Sequence, residues 1–288
     1  MIQFMRYRFW YYLVSLLIIV PGMYYLVRFG LSPSIDFTGG SIIEVRLTVA
    51  TASAQPLGSL LKENKIEVEC LQSIGTDSYL FKMKPITKEK NDEILTLLKT
   101  NWKGVEQNRF ETVGPIFGKE LLKKTLTAAF LAVVVILLYI AWAFHNWRFG
   151  MAAILALIHD VLVVIGVFAL LGHWYGVEVD VLFVTAILTT MSFSVHDTIV
   201  VFDRIRELQK KAPHMELVNR IDQALSATMV RSLNNSLTII FMLTALFLLG
   251  GQTIRWFVFA LLIGTISGSY SSPFVATPIL YDLEKWKK

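Results

Sequence analysis

Two carboxylates and one guanidinium stand where a chain seldom places charge. Asp160 follows His159 inside the apolar run 151–171, and Asp197 follows His196 inside the run 181–202. Arg231 stands near the start of a third apolar run, with Asn234, Asn235 and Thr238 close behind it. At about 100° per residue, Thr190, Ser194, Asp197 and Arg204 fall in one stripe of a helix, and Arg231, Asn235 and Thr238 share a face of the next. A charge inside a bilayer is costly unless it is paired or faces water, so each is a functional candidate by default. A carboxylate that takes up and releases a proton beside a fixed cation is what a proton relay needs. By helix rise, Asp197 lies roughly 25 Å from the outer end of its helix and Arg231 roughly 28 Å from the outer end of its own. At that matching depth the two are expected to pair, which offsets two desolvation costs at once. Asp160, near the middle of its run, is a second carboxylate for the same relay.

Other chemistries fit these residues less well. His159, Asp160, His196 and Asp197 are metal-ligating types, but their spacing matches no ligand motif, so no metal site is expected. Two membrane carboxylates would also suit an aspartyl protease, yet no Gly-x-Gly-Asp turn surrounds either one. No catalytic residue and no cofactor is therefore assigned, only a proton gradient. The bland alternatives are an Arg231 that snorkels to the headgroups and a His159 that packs as a neutral ring.

The elements that must hold these residues are apolar helices. The 288-residue chain is 55% hydrophobic and only 17% charged, with a mean hydropathy of +0.56, which excludes an ordinary soluble domain. Residues 9–27, 126–144, 151–171, 181–202, 227–249 and 256–280 are six runs long enough to cross a bilayer. The expected fold class is an α-helical polytopic membrane protein of six transmembrane helices, with one small α+β domain between the first two. Trp10, Tyr11 and Tyr12 suit an interfacial belt, and Pro21-Gly22 is expected to kink the first span. The first run lacks a small-x-small cleavage pattern and is read as a retained helix. Gly264 and Gly268 form a G-x-x-x-G pair that lets helices approach closely. In the polar gap 203–230, Pro213 is a break, and Leu217, Ile221, Leu225 and Met229 are spaced four apart. That spacing predicts a short amphipathic helix on the cytoplasmic membrane surface.

Residues 31–118 hold 11 of the 22 acidic residues and no apolar run long enough to span. Alternation predicts strands over 41–49, 65–74, 78–84 and 105–113, with helices over 55–64 and 87–102, the second capped by Thr87. Gly75-Thr76-Asp77 reads as a hairpin turn. The order β-α-β-β-α-β is the ferredoxin-like split pattern. Gly114-Pro115 and Gly118 are expected to end this insert. Its Cys70 is the only cysteine, which excludes an intrachain disulfide and thiolate metal sites. Three parts result: 1–30 with the first span, the insert at 31–118, and a five-helix bundle at 119–288. Six spans put both termini on one side. The basic stretches near 148 and 204–231 share that side, so it is the cytoplasm and the insert is extracytoplasmic. The net charge of +5 thus speaks of topology rather than of nucleic acid.

Five stretches, IDFTGGSIIEVR, VGPIFGKEL, ALIHDVLVV, HDTIVVFDRIRE and RSLNNSLT, follow one another along the chain. In that order the chain resembles the SecF family, the smaller membrane subunits of the bacterial SecD–SecF accessory complex of the Sec translocase. The resemblance implies an RND-type transporter half in the bacterial inner membrane. It implies a SecD-like partner, the Sec translocon SecYEG, YajC- and YidC-type proteins, and a polypeptide pulled outward by the proton gradient. It makes Asp197 the proton-linked carboxylate and Arg231 its basic partner. Asp203 and Arg204 complete the fourth-span signature, with His159, Ser194, His196 and Thr198 supporting it and Asn235 and Thr238 on the fifth span. Asp36, Phe37, Thr38, Gly39 and Gly40 carry the extracytoplasmic motif. His196 departs from the commoner Asn. Ser232, Leu233 and Asn235 depart from R-T-x-x-T-S, and Met191-Ser192 from Ile-Gly. A scaffold whose polar residues only glue helices is one alternative. A small RND-like exporter is another, against which the single small insert and half the usual spans count.

Overall fold

The structure, a computed structural model, describes residues 3–47, 54–64, 66–74, 77–102, 104–144 and 146–286. They form two compact units: Met1–Ser32 with Thr127–Lys288, and Pro33–Leu126. A 3-10 turn (Phe4–Tyr7) leads into α1 (Arg8–Phe29). The insert follows as α2 (Ile35–Thr38), β1 (Gly40–Leu47), α3 (Ala54–Glu63), β2 (Val68–Ile74), β3 (Ser78–Met83), α4 (Lys88–Asn101) and β4 (Val105–Val113). The remaining helices are α5 (Pro115–Ala143), α6 (Trp147–Tyr175), α7 (Val181–Lys211), α8 (Leu217–Leu249) and α9 (Gln252–Ser271). A π-helical turn (Ser272–Ala276) joins α9 to α10 (Thr277–Lys285).

In the insert, the strands pair antiparallel in the order β2-β3-β1-β4. β1 and β2 are therefore parallel to each other, with β3 between them. The period-2 pattern that marks β3 is real: Tyr79, Phe81 and Met83 are buried while their neighbours are not. They meet Ile43, Val45 and Leu47 of β1, Leu57 and Leu61 of α3, and Ile94 and Leu98 of α4. Each such side chain contributes about 1.5–3 kcal/mol on burial. Ser41, fully buried, is the polar pin of this sheet. Its Oγ donates to Thr112 Oγ1 at 2.8 Å and accepts from the Ile86 amide at 2.8 Å. Thr87 caps α4 by accepting from the Lys90 amide. The ends of two expected elements, 48–49 and Lys65, and Gly75-Thr76 of the expected hairpin turn lie outside the described residues.

In the other unit, α6, α7 and the last span, from α9 through α10, supply most of the buried residues. α1, α5 and α8 expose apolar side chains such as Leu17, Phe130 and Phe241. Six helical stretches are long and apolar enough to cross a membrane, the last being Gln252–Lys285 across the π turn. Their borders differ from the expected runs in physically readable ways. α5 begins at Pro115, eleven residues before the apolar run, because proline at the first helical position loses no hydrogen bond and its φ suits the helix. No separate surface helix follows Pro213. α8 is continuous from Leu217 to Leu249. Ile221 and Leu225, half of the stripe that suggested a surface helix, are buried against the same core as Phe202 and Ile205 of α7. That apolar stripe meets protein rather than lipid headgroups. α1 runs through Pro21 as one helix, and Gly22 is a contact point. A Cβ there would lie 2.7 Å from the Gly166 Cα of α6.

Candidate functional site

The three buried helices meet on Asp160. It projects from α6 and is 3% exposed. Its Oδ2 accepts from Ser194 Oγ of α7 at 2.5 Å and from Ser271 Oγ of α9 at 2.6 Å. Its Oδ1 accepts from Ser267 Oγ at 2.6 Å and lies 3.1 Å from His159 Nδ1. A hydrogen bond is worth about 0.5–1.5 kcal/mol net, and several converge on one carboxyl, so this is a strong junction for three helices. Close approach of α7 and α9 makes it possible. A Cβ on Gly264 would lie 2.4 Å from Thr190 Cγ2, and one on Gly268 would lie 3.1 Å from Ser194 Cβ. The G-x-x-x-G pair is thus the floor on which Ser194, Ser267 and Ser271 reach one carboxylate. One turn on, Thr198 Oγ1 and Ser272 Oγ are 2.9 Å apart. The His159 ring lies 6.2 Å from that of Tyr270, whose hydroxyl donates to the Tyr11 carbonyl. His159 Nε2 is buried without a hydrogen bond.

Asp197 sits three residues beyond Ser194 and is equally buried. Its Oδ2 makes no hydrogen bond, and its polar neighbour from α8 is Ser232. The ion pair with Arg231 expected from matching depth is not formed. Arg231 is exposed and makes no ion pair among the described residues. The reason is azimuth. Thr228 and Ser236 turn into the bundle, and Arg231 stands about 100° around the helix from Ser232. Asn235 and Thr238 share its exposed face, and Thr238 Oγ1 bonds back to the Asn234 carbonyl. His196 also faces outward, into a groove with Val135 and Tyr139 of α5.

The charge cluster after the fourth span is a ladder along the last turns of α7. Asp203 pairs with Arg206 at 3.2 Å, while Glu207 takes Arg204 at 2.5 Å and Lys211 at 2.6 Å. Such i, i+3 and i, i+4 pairs support a helix end. In the insert, the Asp36–Gly40 motif is a fastening. Ser34 caps α2 through the Asp36 amide, and Ile35 and Phe37 are buried. Gly39 has φ +76°, and a Cβ there would lie 2.7 Å from Pro115 Cα. A Cβ on Gly118 would in turn lie 2.9 Å from the Gly39 nitrogen. The start and the end of the insert thus interlock through glycines, and only glycine fits both the left-handed φ and the close approach.

Spacing alone missed several residues. Ser267 and Ser271 repeat the four-residue step of Gly264 and Gly268, one position behind it. That interleaved pattern was the available signal. Asp222 had none. It lies 2% exposed on α8 and accepts from the Met5 amide at 3.0 Å, at the start of the turn leading into α1.

Six apolar helices with polar groups inside the central ones, and one soluble insert, make this a polytopic helical membrane protein. The family model for SecD/SecF protein export membrane proteins, C-terminal region, matches residues 93–286, and that for the SecD/SecF GG motif matches 24–50. The SecF translocase subunit of Thermobaculum terrenum is 43% identical, covering 99% of this chain and 94% of its own length. That of Anaerolinea thermophila is 35% identical, over 100% and 96%. The crystal structure of SecDF from Thermus thermophilus, a translocon-associated membrane protein, superposes with a TM-score of 0.88 at 31% identity. It covers 99% of this chain, which in turn spans only 39% of that SecDF chain. The chain belongs to the SecF family.

Proposed function

We propose that the chain is a proton-motive-force-linked accessory subunit of the Sec protein translocase, acting with a SecD-like subunit in the late export of polypeptides. One observation carries this reading. Asp197 is buried in a membrane helix with one carboxylate oxygen unbonded, and the basic partner expected for it, Arg231, stands on an exposed face with Asn235 and Thr238. The relay is open on the side where a second bundle would pack. A chain that spans about two fifths of its solved SecDF relative leaves a SecD-like partner to complete it. Asp160, held by three serines, is the second carboxylate of the path. The subunit has no covalent catalytic step and needs no cofactor beyond the gradient. It sits in the bacterial inner membrane with both termini cytoplasmic and the insert outside, beside SecYEG and proteins of the YajC and YidC types.

The test is Asp197→Asn in the assembled SecD–SecF pair. Export driven by a pH gradient is expected to fall to the level without a gradient, while the pair still co-purifies. Wild-type export from that variant would sink the reading. Loss of co-purification, with activity restored once assembly is restored, would favour a scaffold instead.

A further inference from the structure

The serines that hold Asp160 sit where the sixth span stops being an α-helix. α9 ends at Ser271, and the π turn Ser272–Ala276 follows at once. Pro273 lies in that turn and has no amide hydrogen to give the helix. π segments within helices recur at functional sites and mark places where the ladder changes. Ser267 and Ser271, on the last turn of α9, donate to opposite oxygens of Asp160 at 2.6 Å each. Ser272 opens the π turn and is tied to Thr198 of α7. Beyond the turn, α10 is held by other partners. Asp282 accepts from Tyr12 of α1 at 2.9 Å and lies 3.7 Å from Arg8. Glu284 accepts from Arg148 of α6 at 2.9 Å. One carboxylate therefore grips one side of a π turn whose other side is anchored to α1 and α6.

We propose that Ser267 and Ser271 are positioning residues that read the charge of Asp160 and set the angle of α10 at the π turn. The proposal rests on the proton-coupled reading above. An ionised Asp160 accepts all four of its bonds. A proton placed on an oxygen turns it into a donor there, so the group that donated to that lone pair must either accept the new O–H or turn away. Ser271 has an alternative ready, the Gly268 carbonyl at 3.3 Å, which lies within its own helix. Protonation thus lets the last turn of α9 release α6, with the freed hydroxyl satisfied locally and no covalent bond broken. The groups facing Asp160 are few. α6 itself brings His159, α7 brings Ser194, and α9 brings Ser267 and Ser271. The Tyr270 ring of α9 lies 6.2 Å from that of His159, and α1 bonds to Tyr270 through Ser15 and the Tyr11 carbonyl. The π turn brings Ser272, bonded to Thr198 rather than to Asp160. Among the described residues, His159 is the sole partner at ion-pair distance.

The experiment uses the full SecD–SecF pair in lipid vesicles. Cys70→Ser removes the native thiol, and spin labels are placed at Lys211→Cys on α7 and Trp286→Cys beyond α10. The distance distribution between the labels is read in acidic and in alkaline buffer. A pH-dependent shift is expected in the parent. Ser267→Ala/Ser271→Ala is expected to abolish the shift. Asp160→Asn, which keeps the shape and fixes the charge, is expected to give one distribution at every pH, and it carries the test where the double alanine variant does not assemble. A parent without a shift, or a shift that persists unchanged in either variant, overturns the proposal. Asp197→Asn in the same background separates the two readings. A retained shift with wild-type export sinks the role of Asp197 while the hinge stands. A lost shift with wild-type protein levels overturns the assignment of the hinge to Asp160.

Discussion

Gly264→Ala tests how the Asp160 junction is built. The added Cβ would lie 2.4, 2.6 and 2.7 Å from Cγ2, Cβ and Oγ1 of Thr190. None of these is the far end of a flexible chain, and Thr190 is 5% exposed with its hydroxyl already donating to the Ile187 carbonyl. α7 and α9 must therefore separate or shift. Overpacking of this kind costs about 1–3 kcal/mol. For a chain of this size each kcal/mol lowers Tm by about 2–4 °C, so the loss read by thermal unfolding in mild detergent is about 2–12 °C. Gly268→Ala meets Ser194 Cβ at 3.1 Å, a gap that gives by a few tenths of an ångström, so its loss is expected to be the smaller of the two. Gly251→Ala has nothing within 4 Å and serves as the silent control. Thr190→Gly removes all three clashing atoms. The double variant Gly264→Ala/Thr190→Gly should then be little worse than Thr190→Gly alone, a positive coupling of about 1–3 kcal/mol. A Gly264→Ala chain with the parent Tm, or a double variant whose losses simply add, would refute the close-approach account.

Two smaller perturbations reach the rest of the molecule. Ser41→Ala strips the Ile86 amide of its acceptor inside the insert, a loss of about 1–3 kcal/mol that should speed hydrogen exchange at Ile86 by about 5- to 150-fold; unchanged exchange there would refute its role as a pin. Asp222→Ala leaves the buried Met5 amide unbonded at a similar cost of about 1–3 kcal/mol. It should open the first residues to protease, whereas Asp222→Asn keeps an acceptor and should open them less.

Much of the fold was legible because membrane spans and a small sheet advertise themselves through hydropathy and period. Tyr79, Phe81 and Met83 alternate in the sequence and are buried in the sheet. The six apolar runs fall on helices, with Phe144 one residue past α5 and the last run crossing the π turn into α10. What failed has a physical cause in each case. Pro115 reads as a breaker, yet it starts α5, since the first helical position tolerates a missing amide. Leu217, Ile221 and Leu225 report an apolar face without reporting whether lipid or protein covers it. Of the site, Asp160 and Asp197 stood out because a carboxylate in an apolar run is conspicuous by type. Arg231 stood out equally, but rise along a helix measures depth and says little about which way a neighbouring helix is turned. Of the serines around Asp160, Ser194 was legible in the stripe it shares with Asp197, whereas Ser267 and Ser271 are nearly neutral in hydropathy and were signalled only by their four-residue step beside the glycines.

The bond from the Met5 amide to Asp222 joins groups 217 residues apart. In a chain inserted from its first helix onward, the segment that reaches the bilayer earliest is finished by one of the last to be synthesised. The start of α1 has to wait, uncapped, through the making of the insert and three further helices. Closing a chain over such a separation costs entropy, which grows only gradually with length. The bond that satisfies the Met5 amide can therefore form only once α8 has been made and has packed beside the start of the chain.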